Sequence, residues 1–395
     1  MDFEFTEKEE AFRQEVRSWL KQELTQELQE ELKDWTFIRL PANGGGPHLL
    51  QLSKKISAKG WFGINMPQEY GGQGRSLIEE FIFYEELAYH GITFPNQGAT
   101  TMVGPTILQY GTEQQRQTYL PRIARGEISF AIGLTEPEAG SDLASLQTRA
   151  VEVGDYYIIN GQKVFSTHAH CADYHWLATR TDLNAPKARG ISMFIVDLSS
   201  PGITVRPLIT MGDSRTNEVF YDEVKVPKEN LVGERNHGWR YAMASLDYDR
   251  LNTFRIAEYQ RHFDELIQYV KQTKYAGKEL SSDARICHKL AEIAIELEVV
   301  RLLQYQIIWM LSNDISTGYR SNMYKVFASE LGQRLVQTAL EILGPLGQLQ
   351  QGSKWAPFDG AMELGYRASV MPTFGAGGNE ILRSAIATRG LGLPI

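Results

Sequence analysis

Ile128–Asp142 reads ISFAIGLTEPEAGSD, and within it the period of the chain changes. Upstream, apolar residues recur at helical spacing. Phe12, Val16 and Leu20 follow a Thr6/Glu9 pair spaced as a capping box, and a second such pair, Thr112 and Gln115, opens a helix running to Ile123. Helical patterns also cover 50–60, 76–90 and 97–110, so residues 1–126 are expected to form an all-α domain. From Ile128 the runs become short and β-rich, at 128–135, 156–165, 173–180, 191–198, 203–208 and 218–226, punctuated by Gly, Pro, Asn and Asp. They follow one another without helical crossovers, which favours antiparallel pairing over a Rossmann unit. Asn160-Gly161, between Tyr157–Ile159 and Val164-Phe165, reads as a hairpin turn because both positions of such a turn need positive φ. Residues 127–232 are therefore expected to be a central antiparallel β domain.

Helices return after Pro227. Ile286, Leu290, Ile293, Leu297 and Val300 form a stripe suited to packing against another long helix, and similar patterns fill 255–271 and 323–343. Residues 233–395 are expected to form a C-terminal four-helix bundle, giving an α+β protein of three domains. The breaker cluster PANGGGP at Pro41–Pro47 reads as a loop, since no strand precedes it and no GK[ST] follows as a phosphate cradle would require.

Composition narrows the function. The 395 residues are 43% hydrophobic, enough for a sizeable core, and 40 basic against 48 acidic residues leave a net charge of −8, which disfavours a nucleic-acid partner. No run approaches the roughly 18 apolar residues of a membrane helix, and the acidic start MDFEFTEKEE lacks the order of a secretion signal, so a cytoplasmic protein without membrane contact is expected. Cys171 and Cys287 form no CxxC pair and read as packed thiols. His168, His170 and His175 cluster without a carboxylate or Cys at ligand spacing, so no metal site is assigned.

Gly133–Asp142, GLTEPEAGSD, closely resembles the TEPxAGSD signature of the acyl-CoA dehydrogenases. Further matches are Tyr70–Gly74 (YGGQG), Gly111–Gln115 (GTEQQ), Asn160–Thr167 (NGQKVFST), Asn217–Val224 (NEVFYDEV) and Ile386–Pro394 (IATRGLGLP), in the family's order along essentially the whole chain. The resemblance implies an acyl-CoA dehydrogenase-like fold, an FAD cofactor, and α,β-dehydrogenation of an acyl thioester. In that reaction a carboxylate removes the α proton and the β hydrogen leaves as hydride to flavin N5. It assigns Leu134, Thr135, Ser141, Phe165 and Thr167 to FAD, with Ser141 also beside the substrate. The residues themselves are compatible: Thr135 and Ser141 flank a Pro/Gly turn, and Phe165 and Thr167 alternate out of one strand and should share a face.

Many members carry the base at the first position of an EGT[ST]E loop, but the corresponding loop, Ala376–Glu380, begins with alanine. A second group takes its base from a helix with an LDxER-like pattern. Leu246–Arg250, LDYDR, matches it and makes Asp249 the implied base, with Arg250 and Asp247 at the CoA portion of the substrate. Glu380 is assigned to the cofactor, as are Glu341 and Gly344 of Glu341–Gly347 (EILGPLG), the counterpart of a QxxGGxG segment that meets the adenylate half of FAD. Thr273–Gly277, TKYAG, replaces an RxxFG motif that reaches the FAD of a neighbouring subunit, and Gly378 stands where a flavin-touching Thr is common.

The segments Gly277–Leu280, Leu297–Trp309 and Leu340–Trp355 are similar to a bacterial subgroup that includes steroid side-chain and dicarboxylic acyl-CoA dehydrogenases. The expected partners are an acyl-CoA or acyl-carrier-protein substrate and an electron-transferring flavoprotein, in fatty acid metabolism. The chain is expected as a homotetramer or as one half of a heteromeric enzyme whose subunits share FAD sites. An oxidase passing electrons to oxygen is the remaining alternative.

Overall fold

The computed structural model describes residues 3–33, 45–253 and 256–394, apart from the side chains of 247 and 249–253. Most of the PANGGGP cluster, and the side chains of Asp247, Asp249 and Arg250, therefore lie outside the described residues. The N-terminal helices are α1 (Glu7–Glu23), α2 (Gln26–Leu32), α3 (Pro47–Ala58), α4 (Leu77–Tyr89), α5 (Gly104–Tyr110) and α6 (Glu113–Ala124), with a π-helical turn at Ala99–Val103 leading into α5. Both capping boxes form: Thr6 closes on Glu9 and Thr112 on Gln115, each pairing side chain and backbone in both directions. Val16, Leu20, Leu52, Ile56 and Phe83 meet in the core of these helices.

The central domain is one eight-stranded sheet of β1 (Phe130–Gly133), β2 (Arg149–Val153), β3 (Tyr156–Lys163), β4 (Tyr174–Arg180), β5 (Ile191–Asp197), β6 (Ile203–Ile209), β7 (Arg215–Pro227) and β8 (Leu231–Val232). Its order is β6-β7-β3-β2-β4-β5-β8, and all pairs are antiparallel except those of β1 and β2 with β4. β1 pairs with Tyr174–Leu177, while β2 touches β4 only at Arg149↔Arg180. The two strands therefore lie end to end along one edge of β4, and the stretch between them, Leu134–Thr148, bulges out of the sheet. β4 and β5 are buried on both faces. Trp176, Met193 and Ile195 pack against Ile107 and Ile123 of the N-terminal helices, whereas Leu177, Phe194 and Val196 pack against Tyr157, Ile159, Val219 and Val224 of β3 and β7.

Three expectations are corrected here. Asn160-Gly161 is not a hairpin turn, because β3 runs straight through it; the β2–β3 turn is at Gly154-Asp155, with Gly154 at φ 58. The pairing of β3 with β7 shifts between Ile159 and Gly161, so Asp222 and Glu223 oppose Asn160 in a bulge. Asn160 fits that bulge chemically: its Nδ2 donates to Glu223 Oε1 at 2.7 Å and its Oδ1 accepts from Glu223 N at 2.9 Å, with Glu223 at φ 51. The second correction concerns Phe165 and Thr167. β3 ends at Lys163, and Phe165 has φ 57, so strand alternation does not relate the two side chains. Cys287 is also exposed rather than packed.

The C-terminal helices are α7 (Gly238–Thr253), α8 (Ile256–Gln272), α9 (Ala284–Ser312), α10 (Arg320–Leu343), α11 (Ala361–Ala368), α12 (Met371–Phe374) and α13 (Asn379–Ala385). Leu290, Ile293, Leu297 and Val300 of the stripe are buried, facing Leu266 of α8 and Leu331 and Leu335 of α10. Phe81 of α4 joins this core while its neighbours Ile82 and Phe83 serve the N-terminal one, so α4 locks the two helical domains together. Tyr241 and Ala242 of α7 belong to the core beneath the sheet, which fixes α7 against the central domain.

Candidate active site

The break between β1 and β2 creates the site. Glu136 and Ala139 bond each other through N–H and C=O at 3.1 Å both ways, closing the turn that carries Pro137 and Glu138. Beneath it, the buried Glu136 carboxylate accepts from Gln147 N at 2.5 Å, from Thr148 N at 2.9 Å and from Lys163 Nζ at 2.8 Å. Lys163, itself fully buried, also donates to Leu134 O at 3.0 Å, and Val164 N donates to Thr135 O at 2.9 Å. The carbonyls of Leu134 and Thr135 are thus both held by the end of β3. Burial alone would raise the Glu136 carboxyl, but Lys163 and the N–H donors outweigh it and hold it below its ordinary value. Burial in turn brings the Lys163 ammonium down to about 8 against the pull of its partner.

After β3 the backbone turns left-handed at Phe165 and again at His168, φ 67. The sheet clamps this turn. Ser166 N donates to Asn217 O at 3.0 Å, Asn217 Nδ2 donates to Ser166 O at 2.9 Å, and the Thr167 and Thr216 hydroxyls meet at 3.2 Å. His175 lies fully buried between the Tyr221 hydroxyl and Ser166 Oγ, the latter at 3.1 Å from Nε2, and burial pulls its imidazole down to about 3. Its two ring nitrogens are occupied in supporting this turn.

A third segment comes from the C-terminus. Ala376 and Gly377 adopt φ 53 and φ 101, and the fully buried Lys325 of α10 donates to Thr373 O at 3.2 Å, Gly377 O at 2.7 Å and Asn379 Oδ1 at 2.8 Å. A Cβ built on Gly378 would stand 3.7 Å from Ser141 Oγ and 3.6 Å from Glu380 Oε2, so the Ser141 turn and the C-terminal loop adjoin.

Between these segments lies a cleft of about 390 Å³ where all three domains meet. Its walls are Thr93–Pro95, Gln97, Gly98, Thr101 and Met102 from the N-terminal domain; Phe130, Ile132, Leu134, Thr135, Val164, Phe165, Thr167 and His168 from the sheet; Leu246 from α7; and Ala376. Of the residues singled out in the sequence, Leu134, Thr135, Phe165 and Thr167 come together in this cleft, with Ser141 and Glu380 beside it at Gly378. Glu341 and Gly344 do not line it: Glu341 pairs with Lys289 at the end of α10, and Gly344 ends that helix at φ 58. Asp247, Asp249 and Arg250 belong to α7, which supplies Leu246. The Glu136–Lys163 strut escaped the sequence reading, although its two members stand in the two motifs and are opposite in charge. Lys325 and the N-terminal wall carried no such local signal.

Comparison with known proteins gives this arrangement its context. Models of the acyl-CoA dehydrogenase N-terminal, middle and C-terminal domains match residues 6–127, 131–224 and 236–391. Acyl-CoA dehydrogenase FadE26 of Mycobacterium tuberculosis is 35% identical over 401 residues, covering 100% of this chain and 99% of that one. The caffeyl-CoA reductase-Etf complex subunit CarC of Acetobacterium woodii is 33% identical over 358 residues, covering 88% and 90%. Among solved structures, the Tcur3481-Tcur3483 steroid ACAD and the ChsE4-ChsE5 complex from Mycobacterium tuberculosis each match at TM-score 0.90 and 35% identity over 100% of both chains. With all three domains matched in order and likeness over its full length, the chain belongs to the acyl-CoA dehydrogenase family and is an oxidoreductase whose cofactor is FAD.

Proposed function

We propose that the protein catalyses α,β-dehydrogenation of an acyl-CoA thioester. The observation that carries this reading is the single cleft in which the Leu134-Thr135 segment, the Phe165–Thr167 turn, α7 and the Ala376 loop converge. The residues present suit the cofactor. The Thr135 and Ser141 hydroxyls have no hydrogen-bond partner among the described residues, Phe165 is 56% exposed on a left-handed backbone, and Gly378 brings a side-chain-free backbone close to Ser141. In this reading Leu134, Thr135, Ser141, Phe165 and Thr167 hold FAD, with Glu380 beside them, while Glu341 and Gly344 serve an FAD shared across a subunit contact. When bound, the flavin supplies the two-electron acceptor for the β hydride.

The chain's own work is the α proton. Asp249 stands three residues along α7 from Leu246, which lines the cleft, and is the base; Arg250 and Asp247 bind the CoA portion. An aspartate reaches one methylene less far than a glutamate, so the thioester must sit correspondingly close to α7. Electrons then pass to an electron-transferring flavoprotein, in keeping with the Etf-complex relative. The test is the visible spectrum of the purified protein followed by anaerobic addition of an acyl-CoA panel. Bound flavin should bleach in the wild type, and Asp249→Asn should slow bleaching by roughly 10²- to 10⁴-fold. Equal bleaching by both proteins would remove Asp249 from the role.

A second reading is favoured by a specific feature. TKYAG at Thr273–Gly277 and EILGPLG at Glu341–Gly347 lack residues expected to complete an FAD site across subunits, and two full-length structural relatives bear names joining two proteins. The chain would then be one half of a heteromeric dehydrogenase. A protein that stays colourless after FAD is added, and takes up flavin only with a second chain, would establish it.

A further inference from the structure

The N-terminal wall of the cleft contains a polar group that a plain hydrocarbon chain could not satisfy. Gln97 is half-buried there, and its Oε1 accepts from Thr93 Oγ1 at 3.3 Å. Its Nε2 has no acceptor among the described residues. Its backbone carbonyl takes the hydroxyl protons of both Thr100 and Thr101 at 2.9 Å, so Thr101, which lines the cleft, has no hydroxyl proton left to offer a ligand. The π-helical turn Ala99–Val103 sets these hydroxyls back on the Gln97 carbonyl, the kind of local irregularity found at functional sites. Phe94, Met102, Ile132 and Leu246 are apolar neighbours of Gln97 in the same cleft, whose sheet side also carries Thr135, Thr167 and His168.

A hydrocarbon lying against this wall would strip water from the Gln97 amide and return nothing, and an unpaired buried donor lowers affinity by about tenfold or more. An oxygen on the ligand removes that penalty. We propose that Gln97 is a specificity-determining residue, and that the preferred substrate is an acyl thioester carrying a keto or hydroxyl oxygen beyond its β carbon, received by Gln97 Nε2. The proposal rests on the dehydrogenase reading above and deepens it by naming the substrate class.

The test uses FAD-loaded protein, anaerobic titration calorimetry and steady-state turnover. The ligands are octanoyl-CoA and a series of octanoyl-CoAs with a ketone at successive positions beyond the β carbon. At least one oxo ligand should bind about tenfold or more tighter than octanoyl-CoA and show the higher kcat/KM, and Gln97→Leu should bring that ratio to about one. Gln97→Glu, which keeps an oxygen but loses the donor, should also lose the preference. A ratio near one throughout the wild-type series, or one unchanged in Gln97→Leu, overturns the proposal and leaves the dehydrogenase reading standing. Loss of bound FAD from Gln97→Leu would also overturn it, assigning the amide to the cofactor. If no acyl-CoA binds or bleaches the flavin at all, the dehydrogenase reading falls and takes this inference with it.

Discussion

The Glu136–Lys163 pair joins the TEP turn to the end of β3 with both charges out of water. Removing one partner strands the other. Lys163→Met is therefore expected to cost about 3–5 kcal/mol, whereas the double variant Glu136→Gln/Lys163→Met should recover much of it, because neutral partners carry no desolvated charge. Urea unfolding of the three proteins decides this, and a single variant as stable as the wild type would refute it. Because Lys163 also holds the Leu134 carbonyl, the single variant should release FAD more readily as well. His175 gives the molecule a pH response of defined sign. Its folded value of about 3 lies below the ordinary 6.5, so its contribution is complete above pH 6.5 and is lost as the pH falls toward 3, by about 1.4 kcal/mol per pH unit. His262, brought down to about 4 by burial, acts in the same direction. Unfolding free energies at pH 7 and pH 5 should therefore converge more closely in His175→Asn than in the wild type; equal pH slopes would show that His175 titrates freely.

At the scale of elements, the bulge between β3 and β7 carries a sharp consequence. Gly161 sits at φ 149, and a Cβ there would lie 2.6 Å from Thr148 Oγ1 and 2.7 Å from Thr148 Cα. Thr148 N is one of the donors to Glu136, so Gly161→Ala should destabilise the protein by about 1–3 kcal/mol and loosen the cofactor turn at the same time. Thermal melting with and without added FAD checks both parts, and an unchanged midpoint in each would contradict the argument. The same bulge shows where sequence reading stops. Capping boxes at Thr6 and Thr112, and the apolar stripe of α9, were legible because everything they need lies within a few residues. Asn160-Gly161 carries the same residue types as a hairpin turn, and only its distant partner Glu223 makes it a bulge. β2 was missed because Ala150 is its only buried side chain, while Val151 and Val153 face solvent. In the site, motif resemblance brought out Thr135 and Thr167, but Gln97 becomes part of a cleft only when three domains meet, and Lys325 gains its partners only when α10 packs against the distant Thr373–Asn379 segment.

For the whole molecule, the relevant feature is the apolar surface of the C-terminal region. Trp355, Met371, Phe374, Ile381, Leu391 and Leu393 are all more than half exposed, reaching 68% at Trp355, in a segment that also carries the Ala376 loop at the cleft. Large apolar side chains concentrated in this way on a monomer mark a surface that associates. The protein should therefore sediment as a multiple of 44.7 kDa, and Leu391→Glu combined with Phe374→Glu should drive it toward the monomer. These substitutions leave the β-domain cofactor residues untouched. If the Ala376 loop needs the assembled surface to hold its place, the dissociated variant should lose FAD in proportion to its monomer content, which absorbance across a sedimentation profile reads directly. A wild-type chain that runs as a flavin-loaded monomer would contradict the association argument. A colourless oligomer would instead favour the heteromeric reading, because self-association would then fail to supply the adenylate contacts that Glu341 and Gly344 are proposed to make.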